Sequence, residues 1–425
     1  MTLGKINEDK FRRSAVSVQD AQARVLAHVQ PVGSELVPIL EAGNRVLAGD
    51  VKAPHPFPHF RRSGMDGYAI HSLDTKGCHS GQSVQLEVID DIPCGSLPSA
   101  SVERGTASRI MTGAKVPDEA DAVIMLEMTE AFEKDGRKYI LIKREIEPGK
   151  NITPTGFELA EGDLIMEKGR RIGPGEISVL AAFGIHQVPV ARKPRVAIFS
   201  TGSELLAVDE PLQDGRIRNS NTYMLVHQIR EAGGEPYMLE AIEDELSVAR
   251  RRVEEAFVEN DIVITTGGVS VGDYDIMAEL VREQSLEMLF NKVTMRPGSV
   301  TTAAVKEGKL LFALSGNPGA CFVGCELFVR PFIGLMLGVR EPFLPKFQAV
   351  LGKTYAKVNN FTRFVRGSLA FEDGRIVAYP ASLDESSVMI TIKDSDVLIV
   401  IPPTNQGMQA GQLVDVLMLP GGSFN

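Results

Sequence analysis

The sequence predicts a multidomain α/β plus β protein with a central parallel-sheet α/β domain. Three observations support this prediction. Strand and helix patterns alternate from about Arg195 to Gly338, short strands with turn signals fill residues 53–145, and an all-β pattern with a turn at Asp373-Gly374 follows Pro342. The 425 residues, of which 44% are hydrophobic, are enough for about two to four domains with buried cores.

The first half of the chain is predicted to contain two domains. Residues 1–52 and 146–190 form an elongated N-terminal α/β domain, with a helical pattern near its start and a second helix at Glu176–Ala182. Residues 53–145 form a small β domain inserted into it. A hairpin turn at Asp135-Gly136 belongs to this insert.

Residues 191–340 are predicted to form the α/β domain and residues 341–425 a C-terminal β-barrel-like domain. In the α/β domain, alternation of strands and helices predicts a parallel sheet with right-handed crossovers. The strand candidates are Val196–Phe199, Pro236–Ala241, Asp261–Thr265 and Leu310–Leu314, and the helix candidates are Thr222–Ala232, Val248–Phe257, Asp275–Arg282 and Ala320–Leu335.

Polar loops follow the predicted strands of the α/β domain. Because ligands of open α/β sheets bind beyond the carboxyl ends of the strands, we expect these loops to converge. Asn317-Pro318 also fits a helix N-cap followed by proline at the first helical position. The loops are Ser200-Thr201-Gly202-Ser203-Glu204, Glu243-Asp244-Glu245, the glycine loop from Thr265 to Asp275, and Ser315-Gly316-Asn317-Pro318.

The glycine loop combines two kinds of ligand group. Gly267 and Gly268 would expose backbone N–H groups to an anion, as would the start of the following helix. Asp273 and Asp275 on the same loop would repel a phosphate unless a divalent cation, usually Mg²⁺, lay between them. The alternative is an ordinary strand-to-helix loop, in which glycine serves a turn and aspartate caps the helix.

Composition restricts the class of partner and the compartment. The net charge of -10, without any block of Lys and Arg, argues against nucleic acid as a partner. No signal-peptide pattern is visible, and no apolar run approaches about 18 residues, so we expect a cytoplasmic protein without a membrane segment. The four cysteines are too few and too scattered for a disulfide framework, and Cys321 and Cys325 are expected to be buried packing residues.

Six motifs occur in one order along nearly the whole chain, and together they resemble the molybdopterin molybdenumtransferases, the MoeA/gephyrin E-domain family. Any one of them would be a weak signal, whereas six in register are specific. They are Ser63-Gly64-Met65-Asp66-Gly67-Tyr68-Ala69, Arg109-Ile110-Met111-Thr112-Gly113-Ala114, Ser200-Thr201-Gly202-Ser203-Glu204-Leu205, Thr266-Gly267-Gly268-Val269-Ser270-Val271-Gly272, Met295-Arg296-Pro297-Gly298 and Ser315-Gly316-Asn317-Pro318.

The resemblance implies an enzyme of molybdenum cofactor biosynthesis. Its substrates would be adenylyl-molybdopterin and molybdate, and it would hydrolyse the adenylate with Mg²⁺, release AMP and transfer molybdenum to the dithiolene sulfurs. The resemblance also implies a homodimer whose upstream partner is a molybdopterin adenylyltransferase.

The same resemblance assigns roles to individual residues. The catalytic set it implies is Asp66, Thr112, Glu204, Asp244 and Asp275, with Asp244 and Asp275 as the Mg²⁺ ligands. Arg296, Arg366 and Ser387 match positions associated with molybdate. The remaining residues expected to bind the pterin ligand are Gly267, Gly268, Ser270, Gly272, Gly316 and Asn317.

The chain departs from the family pattern at the expected molybdate site. Ser299 and Val300 stand where the family often has Lys-Pro after Lys-Pro-Gly, so one of two cationic groups is absent, and Ala320 replaces a serine. Two alternatives stay open: a non-catalytic molybdopterin-binding scaffold or carrier, and a molybdopterin adenylyltransferase. The sequence does not distinguish molybdate from tungstate as the working oxyanion.

Overall fold

The structure, a computed structural model, describes residues 14–241, 246–268 and 286–424. The chain forms two compact units. The first contains the described parts of Met1–Gly49 and His186–Asn425 together with Lys168–Ser178, and the second contains Asp50–Glu167 and Val179–Ile185. The finer division into four domains stays a prediction.

The second unit is built on a six-stranded sheet that is covered on both faces. Tyr68 and Ile70 lie in one buried cluster, while Ala69 between them lies in another, as the two-residue period of a strand requires. The predicted hairpin is confirmed, because Asp135 and Gly136 both have positive φ between two paired strands. In sheet order the strands are Ala122–Met125, Gly67–Ile70, Thr106–Ile110, Val84–Ile92, Arg137–Ile142 and Thr129–Lys134.

Two helices of the N-terminal part occur where the sequence predicts them. The first is Val18–Leu26, which begins after Ser17, whose side chain accepts a hydrogen bond of 3.0 Å from the Asp20 backbone N–H. Strand Ser34–Pro38 pairs antiparallel with Gln187–Ala191. The second predicted helix spans Pro174–Ala182.

The α/β region begins with strand β1 at Arg195–Ser200, and we number its elements from there. Strands β1, β2, β3 and β7 are parallel, as predicted, whereas β6 pairs antiparallel with both β7 and the edge strand β4, so the sheet is mixed. Its strand order is β2-β1-β3-β7-β6-β4. The elements are α1 Asn221–Ala232, β2 Glu235–Met238, α2 Leu246–Glu259, β3 Ile262–Thr266, β4 Glu287–Phe290, β5 Met295–Arg296, β6 Thr302–Lys306 and β7 Lys309–Leu314.

Helices cover both faces of this sheet, because its central strands are apolar on both sides. Leu225 of α1 belongs to the same buried cluster as Ile198 and Ile264. On the other face Val253 of α2 belongs to a cluster with Phe199. Such a doubly wound sheet places its ligand-binding loops at the carboxyl ends of the parallel strands.

A long core helix follows β7. It consists of α3 at Pro318–Gly324, a π-helical turn at Cys325–Val329 and α4 at Arg330–Met336. By length and hydropathy this helix would be able to span a membrane, but 89% of its most apolar window is buried inside the fold. Glu326 and Arg330 lie within this helix, so its apolar residues do not form one uninterrupted run.

The C-terminal part is a closed five-stranded β-barrel, as the sequence predicts. Its strands are β8 Lys346–Leu351, β9 Thr362–Glu372, β10 Arg375–Pro380, β11 Val397–Ile401 and β12 Leu413–Met418. The order β9-β10-β8-β12-β11 closes because β11 also pairs with β9. The predicted turn at Asp373-Gly374 joins β9 to β10, and both of its residues have positive φ. Outside the barrel, the short strand β5 pairs parallel with β9.

Candidate active site

A cavity of about 690 Å³ lies at the carboxyl ends of β1 and β3. These two strands are neighbours in the sheet, and the chain leaves β1 toward β2 on one side and β3 toward β7 on the other. This is the topological switch point of the sheet, where diverging loops leave room for a ligand. We call it the first cavity; its lining residues are Ser200, Thr201, Gly202, Glu204, Leu205, Ile217, Arg218, Asn219, Ser220, Asn221, Thr266, Gly267, Gly268, Val300, Ser315, Gly316, Asn317, Pro318 and Ser387.

Six of the predicted site residues therefore lie together. Glu204, Gly267, Gly268, Gly316, Asn317 and Ser387 all line the first cavity. Gly267 and Gly268 have φ values of 99° and 64°, a conformation in which other residues are strained. A Cβ at Gly267 would also lie 2.6 Å from the Thr201 carbonyl oxygen, so both backbone freedom and close packing require glycine here.

Buried hydrogen bonds fix the loops around the first cavity. The Asn221 side-chain amide donates to Thr266 Oγ1 at 2.9 Å and to the Gly316 carbonyl oxygen at 2.8 Å. Thr266 Oγ1 lies 3.1 Å from the Ser315 carbonyl oxygen, to which it donates. Three separate loops are thus held in one arrangement before a ligand binds.

One wall of the first cavity is formed by residues that were not predicted from the sequence. Arg218, Asn219, Ser220 and Asn221 line it from the loop that enters α1. Asn219 connects this loop to β1, since its amide donates to Ser200 Oγ at 3.0 Å and its Oδ1 accepts from the Thr222 N–H at 3.2 Å. The signal was available, because a helix that follows the switch-point strand begins at the ligand-binding edge.

A second cavity, of about 500 Å³, adjoins the first and shares Val300, Ser315 and Asn317 with it. Its wall combines the Arg296–Val300 loop, the start of the core helix and one end of the barrel. The predicted residue Arg296 lies here rather than in the first cavity. The other lining residues are Pro297, Gly298, Ser299, Ala320, Lys357, Arg363, Asp384, Glu385 and Ser386.

Arg366 is not a surface arginine: it is only 1% exposed. Its Nη2 donates to the Glu385 carbonyl oxygen at 3.2 Å, whereas its Nε and Nη1 are buried and have no hydrogen-bond partner among the described residues. Burial lowers the pKa of its guanidinium. A Cβ at Gly319 would overlap Arg366 Nη1, so the start of the core helix comes close to this charge only because residue 319 is glycine.

Asn317 occupies the predicted N-cap position with Pro318 next to it, but its side chain does not cap the helix. Instead its amide donates to Ser386 Oγ at 3.2 Å. The first N–H groups of the core helix are already paired, because Pro318 has none, the Gly319 N–H donates to the Ser386 carbonyl oxygen at 2.9 Å and the Ala320 N–H donates to the Asn317 carbonyl oxygen at 3.1 Å.

In the second unit, Asp66 and Thr112 lie in direct contact. Asp66 Oδ1 accepts hydrogen bonds from the Thr112 backbone N–H at 2.7 Å and from Thr112 Oγ1 at 2.9 Å. The backbone bond, then the hydroxyl bond, and the nearby Arg109 lower the pKa of Asp66. The sheet explains the contact, because Asp66 precedes a strand that pairs antiparallel with the strand ending just before Thr112.

Four predicted site residues lie outside the described residues: Asp244, Ser270, Gly272 and Asp275. The predicted helix Asp275–Arg282 also lies outside them. In the described part of the chain, no group of three or more His, Cys, Asp or Glu side chains is arranged to hold a metal ion. Glu204 is the predicted carboxylate that the structure does place at the first cavity, and hard oxygen donors of this kind suit Mg²⁺.

Three family models match successive parts of the chain, and together they span nearly all of it. Residues 16–184 match the MoeA N-terminal region (domain I and II), residues 197–334 the probable molybdopterin binding domain, and residues 348–419 the MoeA C-terminal region (domain IV). The chain belongs to the MoeA family and is an enzyme of that family.

Individual relatives agree with this assignment. The chain is 43% identical over 409 residues to the molybdopterin molybdenumtransferase of Bacillus subtilis (strain 168), covering 96% of this chain and 95% of that protein. It is 39% identical to the protein of the same name from Staphylococcus aureus (strain MRSA252), covering 96% of each. Among solved structures, the molybdopterin biosynthesis moeA protein of Pyrococcus horikoshii OT3 superposes with a TM-score of 0.81 at 30% identity, covering 96% of this chain and 100% of that chain.

Proposed function

We propose that this enzyme inserts molybdenum into molybdopterin. Its substrates are adenylyl-molybdopterin and molybdate. Water attacks the pyrophosphate linkage, whose charge Mg²⁺ would help to neutralise, and AMP leaves. The two dithiolene thiols then bind molybdenum while one oxygen of molybdate leaves with their two protons as water. The observation that carries this proposal is the pair of adjoining cavities, one lined by glycine loops and the other lined by Arg296, with the buried guanidinium of Arg366 packed against Gly319 at the start of the core helix.

The first cavity suits the phosphorylated end of the pterin. The positive-φ glycines Gly267 and Gly268 leave backbone accessible to phosphate oxygens, and Gly316 and Asn317 precede the positive end of the core helix. In this proposal Ser270 and Gly272 extend the same glycine loop.

The second cavity suits a tetrahedral oxyanion. Arg296 lines it, and the proposal adds the buried guanidinium of Arg366, which packs against Gly319 at the start of the core helix. Ser387, from the first cavity, adds a hydroxyl to the set.

Asp244 and Asp275 would hold Mg²⁺, which when bound would neutralise charge on the pyrophosphate. Glu204 lines the first cavity and contributes a further carboxylate. Asp66, held ionised by Thr112, is the remaining acid–base group of the proposal.

The test is AMP release from the purified full chain incubated with adenylyl-molybdopterin and Mg²⁺, with and without molybdate. Molybdate-dependent AMP release together with metallated pterin supports the insertase. Tight ligand binding without AMP release would contradict it and favour a scaffold or carrier, while formation of adenylyl-molybdopterin from ATP and molybdopterin would favour an adenylyltransferase.

We further propose that the enzyme is a cytoplasmic homodimer that receives its pterin from a molybdopterin adenylyltransferase. The homodimer and the upstream partner follow from the family resemblance. Sedimentation velocity at several protein concentrations tests the dimer, and a monomer at all concentrations would contradict it.

A further inference from the structure

The wall of the second cavity has more cationic side chains than the Arg296–Val300 loop alone supplies. Ser299 and Val300 remove the second cation that the family often has there. Yet among the described residues the cavity is lined by Arg296, Lys357 and Arg363, against the carboxylates of Asp384 and Glu385.

Lys357 is the least available of these cations. Its Nζ forms an ion pair with Asp384 and a second one with Glu385 Oε1 at 3.0 Å. Its side chain is also 43% exposed, so water already solvates the ammonium. Both carboxylates of the cavity are thus engaged by one lysine.

Arg363 is in a different position. Its side chain is 19% exposed, its Nη1 lies 3.6 Å from Asp384 Oδ2, and its Nε is buried without a hydrogen-bond partner among the described residues. Asp384 also accepts from the Tyr355 hydroxyl and from Lys357, so this one carboxylate is shared among three donors. A guanidinium that lines a cavity and shares its neighbouring carboxylate with two other donors has donor capacity left for a ligand.

The sheet register brings Arg363 next to Arg296. In the parallel pairing of β5 with β9, Arg296 and Arg363 are register partners. Two like charges on neighbouring strands repel each other, and the cost is largest where water is partly excluded. An anion between them would turn this repulsion into attraction, and both side chains line the cavity where it would lie.

We infer that Arg363 is an oxyanion-binding residue that takes the place of the cation missing at Ser299-Val300. The ligand class is a tetrahedral dianion such as molybdate or tungstate. Asp384 is a positioning residue, because its Oδ2 lies 3.6 Å from Arg363 Nη1 and holds the guanidinium at the cavity wall. The identity of the ligand rests on the proposed function, whereas the position of Arg363 in the cavity wall does not.

The test compares three variants of the full chain by isothermal titration with sodium molybdate and, separately, with adenylyl-molybdopterin. Arg363→Met removes the charge at similar volume, and we expect the Kd for molybdate to rise about tenfold or more, since a hydrogen bond to a charged group is worth roughly 1.5–3 kcal/mol. The Kd for adenylyl-molybdopterin should stay unchanged. Arg363→Lys keeps the charge but loses the guanidinium fork, so it should recover part of the affinity.

Arg375→Met is the matched control, because Arg375 is an exposed arginine on β10 of the same barrel. Its affinity for molybdate should equal that of the unchanged chain. Circular dichroism and thermal melting show whether each variant is folded, and Arg363→Lys provides the comparison if Arg363→Met is not.

The outcomes separate this inference from the proposed function. Unchanged molybdate affinity in folded Arg363→Met would overturn the inference, even if the unchanged chain releases AMP in a molybdate-dependent way. Weaker molybdate binding by Arg363→Met, in a chain that releases no AMP, would keep the inference and contradict the insertase. Failure of the unchanged chain to bind molybdate would overturn both.

Discussion

Asp66 and Thr112 form one hydrogen-bonded pair: a single carboxylate oxygen, Asp66 Oδ1, accepts from both the backbone N–H and the hydroxyl of Thr112. Both bonds favour the ionised carboxylate, which is why the pKa of Asp66 lies below its ordinary value. The two motifs that contain these residues thus meet at a single functional group.

Removing the charge of Asp66 should therefore affect turnover more than the fold. We expect Asp66→Asn to lower the rate of molybdenum transfer by about 10²-fold or more, the range found for a general acid or base. Thr112→Val keeps the backbone bond and loses the hydroxyl, so the pKa of Asp66 should rise toward its ordinary value. An NMR titration of the Asp66 carboxyl carbon measures this, and an unchanged pKa in Thr112→Val would contradict the assignment.

Gly319 limits the space around Arg366. In Gly319→Ala the new methyl group would overlap Arg366 Nη1 and lie 3.0 Å from the Ser386 carbonyl oxygen. We expect the free energy of unfolding to fall by about 1–3 kcal/mol and the affinity for molybdate to fall with it. Gly175→Ala is the control, because it is also near a helix start but has no atom within 4 Å of the added Cβ. Wild-type molybdate affinity in Gly319→Ala would mean that Arg366 does not contact the oxyanion.

Arg366 should show a conflict between stability and function. Because its Nε and Nη1 are buried and have no hydrogen-bond partner in the described part of the chain, replacing it by an apolar side chain of similar length removes a desolvation cost. We expect Arg366→Met to retain its free energy of unfolding or gain about 1–3 kcal/mol, while molybdate-dependent AMP release is lost. Urea titration and the AMP assay on the same preparation check both halves. A large loss of stability would show that Arg366 is primarily structural.

These residues show what the sequence can and cannot predict. The turns at Asp135-Gly136 and Asp373-Gly374 are local, because two adjacent residues determine the positive φ values of the hairpin. The antiparallel edge strands β4 and β6 were not predicted, since a strand pattern does not contain the direction of its neighbour. Arg296 and Arg363 become register partners only because two strands that are distant in the sequence pair with each other, and neither position is unusual in its own segment.

Asp384 should make the barrel sensitive to acid. Burial raises the pKa of Asp384, but hydrogen bonds from Lys357 and Tyr355 outweigh burial and hold the pKa below 3.8. A lowered carboxyl pKa adds stability that is complete above the unfolded-state value and is lost as the pH falls below 3.8 through the folded-state pKa. We expect Asp384→Asn to lose about 2 kcal/mol at pH 7, a value reduced for the exposure of Lys357, and to lose less on further acidification than the unchanged chain. Equal acid sensitivity of both proteins would contradict this account.

Asp275 tests the metal assignment from the sequence. We expect Asp275→Asn to abolish adenylate hydrolysis while the thermal melting curve stays as in the unchanged chain, since a single carboxylate of the predicted glycine loop should contribute little to folding. EDTA should likewise stop AMP release from the unchanged chain, and excess Mg²⁺ should restore it. Full activity of Asp275→Asn would remove this residue from the Mg²⁺ site.

The short pairing of β5 with β9 also determines how the C-terminal half can deform. Met295 and Arg296 are joined to the barrel through Thr362 and Arg363, and the Gly319 N–H donates to the Ser386 carbonyl oxygen at 2.9 Å. Any movement of the barrel away from the sheet would break these contacts. The joint is therefore held by backbone pairing rather than by a flexible linker, and the backbone amides that donate between β5 and β9 should exchange with solvent only when the barrel separates from the sheet.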